Sequence, residues 1–217
     1  SFCMCPGGLV VAATSEPGGV VTNGMSSYAR EEANANSGFM VEIEPATMGF
    51  EGPLAGIEFQ RSLEQKAFEL GGSNYFAPAQ RLGDFLEDRP SVGPGRVIPS
   101  YQPGVTWTDL HLCLPEIIAE TLAQAIPIIE RSLPGFAMDD AVMTAVETRS
   151  SAPIRIPRDP ETLECISVQN FYPGGEGAGY AGGIISAAAD GMKVAEALLR
   201  GTKTPPESLV GEHPGAE

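Results

Sequence analysis

The sequence predicts an α+β fold, with packed helices on a mixed or antiparallel sheet and a terminal strand, glycine loop and helix. Three observations predict it. Short β-rich runs separated by turn residues occupy the first 43 positions. Two long stretches, 55–70 and 115–133, repeat apolar residues at helical spacing. Near the end, Phe171 to Ser186 holds six Gly in sixteen residues and runs into a long Ala-rich helical pattern.

Taken in order, Leu9 to Thr14 and Val20 to Thr22 read as strands joined by Ser-Glu-Pro-Gly-Gly, a hairpin signal. Thr22 to Ser27 is turn-rich, and Phe39 to Ile43 alternates apolar and polar residues as a strand does. A helix is expected over 55–70, with Phe59, Leu63, Ala67 and Leu70 on its apolar face and Gly71-Gly72 as its stop. A short helix is expected over 80–87, followed by a loop over 89–106 that holds four Pro and three Gly. Pro115 suits the first turn of a second long helix, with Ile118, Leu122, Ala125 and Ile129 facing the core. Pro127 should kink or interrupt it. Ala141 to Thr148 and Cys165 to Val168 read as strands. A last helix is expected over 182–199, with Ile184, Ala188, Met192, Ala195 and Leu199 along one face. The tail from Gly201 to Glu217 is polar and Pro-rich, and is expected to be mobile.

A chain of 217 residues is long enough for one large or two small domains. Its formal net charge of −15 argues against nucleic acid or an anionic membrane as partner, because neither would be attracted. No apolar run is long enough to span a bilayer, and the N-terminus lacks the basic and apolar regions of a signal peptide. The four Cys are too few and too unevenly placed for a disulfide scaffold, so reduced thiols in the cytoplasm are expected. The chain opens without Met on a run that reads as the middle of a strand, so it is expected to be a piece of a longer protein.

The chemistry concentrates in a few places. A glycine cluster that opens a helix lets backbone approach a ligand and aims free N–H groups at an anion. Gly177-Ala-Gly179-Tyr-Ala-Gly182 fits G-x-G-x-x-G, but no second strand follows, so it is not the first turn of a dinucleotide-binding half. It is either a tight packing turn or a secondary cofactor loop. Arg149, Arg155 and Arg158 form a basic island in an acidic protein. They are candidates for carboxylate or phosphate binding, or for pairing with the many acids. Cys3 and Cys5 form a C-x-C; a metal needs two further ligands, which Cys113 and His111 could supply although nothing in the spacing requires it, and no metal site is expected. It is either a dithiol or two small residues on one face of a strand. His111 reads as structural, and His213 falls in the tail. Neither a G-x-S-x-G elbow nor a P-loop is present.

Five segments occur together: Phe2-Cys-Met-Cys-Pro-Gly-Gly8, Thr22-Asn-Gly-Met-Ser26, Asn34-Ala-Asn-Ser-Gly38, Glu147-Thr-Arg-Ser-Ser-Ala-Pro153 and Tyr172-Pro-Gly-Gly-Glu-Gly-Ala-Gly-Tyr-Ala-Gly-Gly183. Over nearly its whole length the chain resembles the C-terminal part of the bacterial family of uncharacterised FAD-dependent, or NAD(FAD)-utilising, dehydrogenases. The resemblance implies a flavoprotein whose FAD domain is split by an insert. Residues 1–160 would be the inserted α+β substrate or cap domain. Residues 161–200 would be the strand and helix that complete the FAD-binding domain, and 201–217 a polar tail. It also implies that Gly175, Glu176, Gly177, Gly179, Gly182, Gly183 and Ile184 contact FAD, with Glu176 accepting hydrogen bonds from a ribityl hydroxyl. Where members carry Cys-Gly-Glu or a similar run, this chain has Gly174-Gly175-Glu176. The implied function is that of a fragment of an FAD-dependent oxidoreductase that lacks the N-terminal half of the site. The fragment alone is then expected to be inactive and without FAD. The resemblance names neither substrate, electron acceptor nor catalytic residue. The competing expectation is a stand-alone anion- or partner-binding module without flavin, using Arg149 and Arg155.

Overall fold

A computed structural model describes residues 2–201, of Phe2 only the backbone; the tail reading and His213 lie outside the described residues. The chain divides into two units, Ser1–Arg149 and the residues from Ser150 onward. In the first, β1 (Phe2–Ala12) is the centre of a three-stranded antiparallel sheet between β2 (Thr22–Ser26) and β3 (Asn34–Gly38). A hairpin forms, but its second strand lies later than expected: β2 starts at Thr22 and occupies the stretch read as turn-rich, so that Ala12 pairs with Thr22 and Gly8 with Ser26.

β3 is polar, and its side chains make part of its attachment. Asn36 Nδ2 donates to the carbonyls of Leu9 (3.2 Å) and Met25 (3.3 Å), and Asn34 Nδ2 to that of Ile98 (2.8 Å). The strand expected over Phe39 to Ile43 is not formed. Phe39, Val41 and Ile43 do pack against the core in alternation, but no neighbouring backbone gives them a ladder.

α1 (Ala55–Leu70) matches its expected bounds. Leu63 and Ala67 are buried, and Phe59 and Leu70 pack partly buried beside them. A second sheet follows, ordered β5-β4-β6, from β4 (Ala77–Arg81), β5 (Val105–Trp107) and β6 (Val142–Thr144). β4 pairs parallel with β5 and antiparallel with β6. Gln80 therefore lies in a strand, and the helix expected from 80 starts later as α2 (Leu82–Leu86). The expected loop over 89–106 ends in β5, and the strand expected over 141–148 shortens to β6.

α3 (Glu116–Ser132) runs through Pro127 without interruption. Pro127 is exposed, while Leu122 and Ile126 on the other side are buried in the core, so tertiary packing outweighs the missing hydrogen bond. Ile118 and Leu122 are buried as expected, but Ala119 and Ile126 take the places assigned to Ala125 and Ile129.

In the second unit, α4 (Ile184–Gly201) is its one regular element among the described residues. The strand expected over Cys165 to Val168 reduces to a single bridge between Arg158 and Cys165, since among the described residues no strand lies beside it to extend it. No described helix is long and apolar enough to cross a membrane.

Candidate functional site

The residues before α4 form a loop tied to two supports. Asp190, on the first half of α4, accepts from the backbone N–H of Gly175 at 2.8 Å. The same carboxylate takes a two-pronged bond from Arg158, Nη2 at 2.6 Å and Nη1 at 3.0 Å, and Arg158 Nη1 also donates to the Pro173 carbonyl at 2.7 Å. Both side chains are nearly buried, 8% and 11% exposed. The Arg158 hydrogen bond holds the Asp190 carboxyl below the usual carboxylate range, and Asp190 in turn raises the Arg158 guanidinium. From the other side, Tyr180 lies under both arginines, with Arg158 3.6 Å and Arg155 4.8 Å from its ring centre. The Tyr180 hydroxyl donates to Ile156 O (2.9 Å), and Arg155 Nε donates to Gly179 O (2.9 Å).

The glycines sort by physical need. Gly175 (φ +70°) and Gly179 (φ +81°) sit in the left-handed region, and a Cβ on Gly179 would collide with the Ile154 carbonyl oxygen. Gly177 and Gly182 have neither reason: their backbone is ordinary, and a Cβ on either would meet no heavy atom within 4 Å. A Cβ on Gly183 would meet only Ser186 Oγ, at 3.7 Å. The carbonyl of Gly183 accepts from Ala187 N at 2.9 Å, which places the first, internally unpaired N–H groups of α4 directly after it.

Gly175, Glu176, Gly177, Gly179, Gly182, Gly183 and Ile184 thus form one continuous loop into a helix N-terminus, with Arg155 beside it and Glu176 exposed. Arg149 is engaged elsewhere, in the first unit. Its Nε (2.8 Å) and Nη2 (2.8 Å) grip Glu64, a side chain 2% exposed, and Nη1 donates to Ser15 Oγ at 2.6 Å. Its anion is supplied by the fold itself. The roles of Asp190 and Tyr180 are absent from the sequence reading. The available signal was an acid, Asp190, directly after the Ala run of a helix downstream of a basic island.

The face of α4 expected to be core is instead open: Ile184 is 87% exposed, Met192 67% and Leu199 74%. Ala197 and Asp190 are buried in their place.

The sequence model of the family described as FAD-dependent protein, C-terminal domain-like, matches residues 1–150, the same stretch as the first unit. A protein of Clostridium beijerinckii (strain ATCC 51743 / NCIMB 8052), described as an uncharacterized protein, is 52% identical over 199 residues. That match covers 92% of this chain and 37% of the relative, so the chain spans little more than a third of the length of this curated relative.

Proposed function

The chain belongs to the FAD-dependent protein, C-terminal domain-like family, and from that premise we propose that it is part of an FAD-dependent oxidoreductase of dehydrogenase type. Residues 1–160 act as the inserted domain that covers a substrate cavity. The glycine loop and α4 act as the closing piece of the flavin site. FAD, when bound, supplies the hydride or electron transfer.

The chain's own residues do the rest. Gly177, Gly182 and Gly183 let the backbone come close to the cofactor, and the first N–H groups of α4 favour negative charge there. The Glu176 carboxylate accepts hydrogen bonds from cofactor hydroxyls. Arg155, exposed beside the loop, adds a positive charge at its rim.

The observation that carries this reading is the pair Gly177 and Gly182. At both, a Cβ would meet no described atom within 4 Å and the backbone is not left-handed, so the loop is open to a ligand there. The exposed aliphatic face of α4 supports it further, because a helix of this kind packs into a larger core.

Gly182→Val in the complete natural polypeptide tests it. The open space means the variant folds, so the expected result is an unchanged melting temperature with flavin absorbance lost. Full flavin occupancy in that variant would overturn the contact.

A further inference from the structure

Cys3 and Cys5 stand apart from the flavin reading, in the first unit. β1 pairs with β3 irregularly: Phe2 faces Gly38, Cys5 faces Asn36 and Gly8 faces Asn34. Three residues of β1 thus answer two of β3, twice in succession, which is the signature of a bulge. Inside the first bulge Cys3 adopts φ +54°, a left-handed conformation that a non-glycine residue seldom holds without local compensation.

The bulge changes what the two thiols can do. In a flat strand, residues two apart sit about 6.6 Å apart at Cα, at the long end of what a disulfide spans. Here the strand is not flat: the irregular register and the left-handed Cys3 break the extended spacing between the two cysteines, and Cys3 lies near enough to Cys5 to raise its thiol. They differ in access, Cys3 being exposed and Cys5 only half-exposed. Burial, the neighbouring Cys3 and the charge of Glu147 all hold the Cys5 thiol above its ordinary pKa, against a smaller opposing effect of Arg30. Cys5 therefore holds its proton more tightly than an ordinary thiol, and exposed Cys3 is the one that reagents reach from solvent. Cys113 and Cys165 are buried and far apart in sequence, and neither has such a neighbour.

We propose that Cys3 and Cys5 are a redox-active dithiol, with exposed Cys3 as the entry thiol and Cys5 as the resolving thiol, and with a low-molecular-weight disulfide as oxidant. The Cys3 thiolate attacks one sulfur of the incoming disulfide, breaks its S–S bond and releases one thiolate. Cys5 then attacks the Cys3 sulfur, forms the Cys3–Cys5 bond and expels the second thiolate. The two protons that leave the cysteines end on the two released thiols, and the two electrons of the dithiol reduce the oxidant. A ring closed over a single intervening residue is strained. Strained disulfides are the reducible, regulatory ones, so excess reduced thiol reopens this bond.

The test is mass spectrometry of the complete natural polypeptide after incubation with oxidised glutathione and alkylation. The expected result is a peptide spanning Cys3 and Cys5 that is lighter by two hydrogens and is restored by reduced glutathione. Cys5→Ser should instead trap a stable glutathione adduct on Cys3. Cys3→Ser should leave Cys5 without an adduct over the same time. Both thiols remaining free in the parent protein, or an adduct on Cys3 that never closes, would overturn the proposal. None of these readouts requires bound flavin, so the flavin reading can fail while this one stands.

Discussion

Asp190→Ala removes the acceptor that ties the glycine loop to α4. The wild-type carboxylate accepts three bonds, from Arg158 Nη2 (2.6 Å), Arg158 Nη1 (3.0 Å) and Gly175 N (2.8 Å). Its loss leaves a nearly buried guanidinium unpaired and a loop N–H unanswered. Removing one partner of a buried ion pair costs about 3–5 kcal/mol. Little else is available to absorb that. The buried apolar residues described in this unit are Cys165, Pro173, Ala178 and Ala197. Each contributes on the order of 1 kcal/mol at about 0.8 kcal/mol per buried carbon. The ion pair is thus comparable to what these buried side chains contribute. At about 1.4 kcal/mol per decade, its loss raises the open population of the loop roughly a hundred- to several-thousand-fold. Limited trypsin digestion of the 217-residue chain reads this directly, since Arg155 is exposed but held to Gly179. When opening is fast relative to cleavage, the cut after Arg155 accelerates by the same factor. Asp190→Leu combined with Arg158→Met should recover part of the loss, because it leaves no unpaired charge. A parent-like cleavage rate in Asp190→Ala would refute the claim that this pair holds the loop.

Gly179→Ala forces a side chain into a left-handed residue and against Ile154 O, so it should lower stability by about 1–3 kcal/mol in hydrogen-exchange measurements on the loop. Gly177→Ala at an open, unstrained position should be neutral, or stabilising by up to about 1 kcal/mol. Burial raises the pKa of Glu147, so its folded form binds a proton more readily than its unfolded form. Stability should fall as pH rises from the ordinary carboxylate range through that raised pKa. Glu147→Gln should remove this slope and raise the melting temperature at neutral pH. Cys113, 1% exposed and with its thiol pushed up to about 12 by burial, should stay unmodified by iodoacetamide at pH ~8 under native conditions while exposed Cys3 reacts.

Much of the local structure was legible. Apolar residues every third or fourth position, stopped by Gly71-Gly72, placed α1 on its observed bounds. The same periodicity found α3, and the glycine cluster announced both a loop and the helix after it. What went unread was non-local. Phe39 to Ile43 alternates as a strand and even points its apolar residues inward, yet a strand also needs a partner, and the sequence does not show where one runs. Pro127 has a local penalty that the buried side of α3 outweighs.

The site divides in the same way. The sequence by itself determined that Gly175 through Ile184 would form one loop at a helix start, because glycine spacing and helical periodicity are properties of neighbouring residues. Only the tertiary structure decided which glycines the fold needs and which are left open. Left-handed backbone at Gly179 and the carbonyl of Ile154 against it follow from a chain that returns from 25 residues earlier. Arg149, a free anion-binding candidate in the sequence, closes on Glu64, 85 positions away. Arg158 closes on Asp190, 32 positions away. A charge is visible in a sequence, but its partner is fixed only when folding removes both from water and makes an unpaired charge too costly to keep.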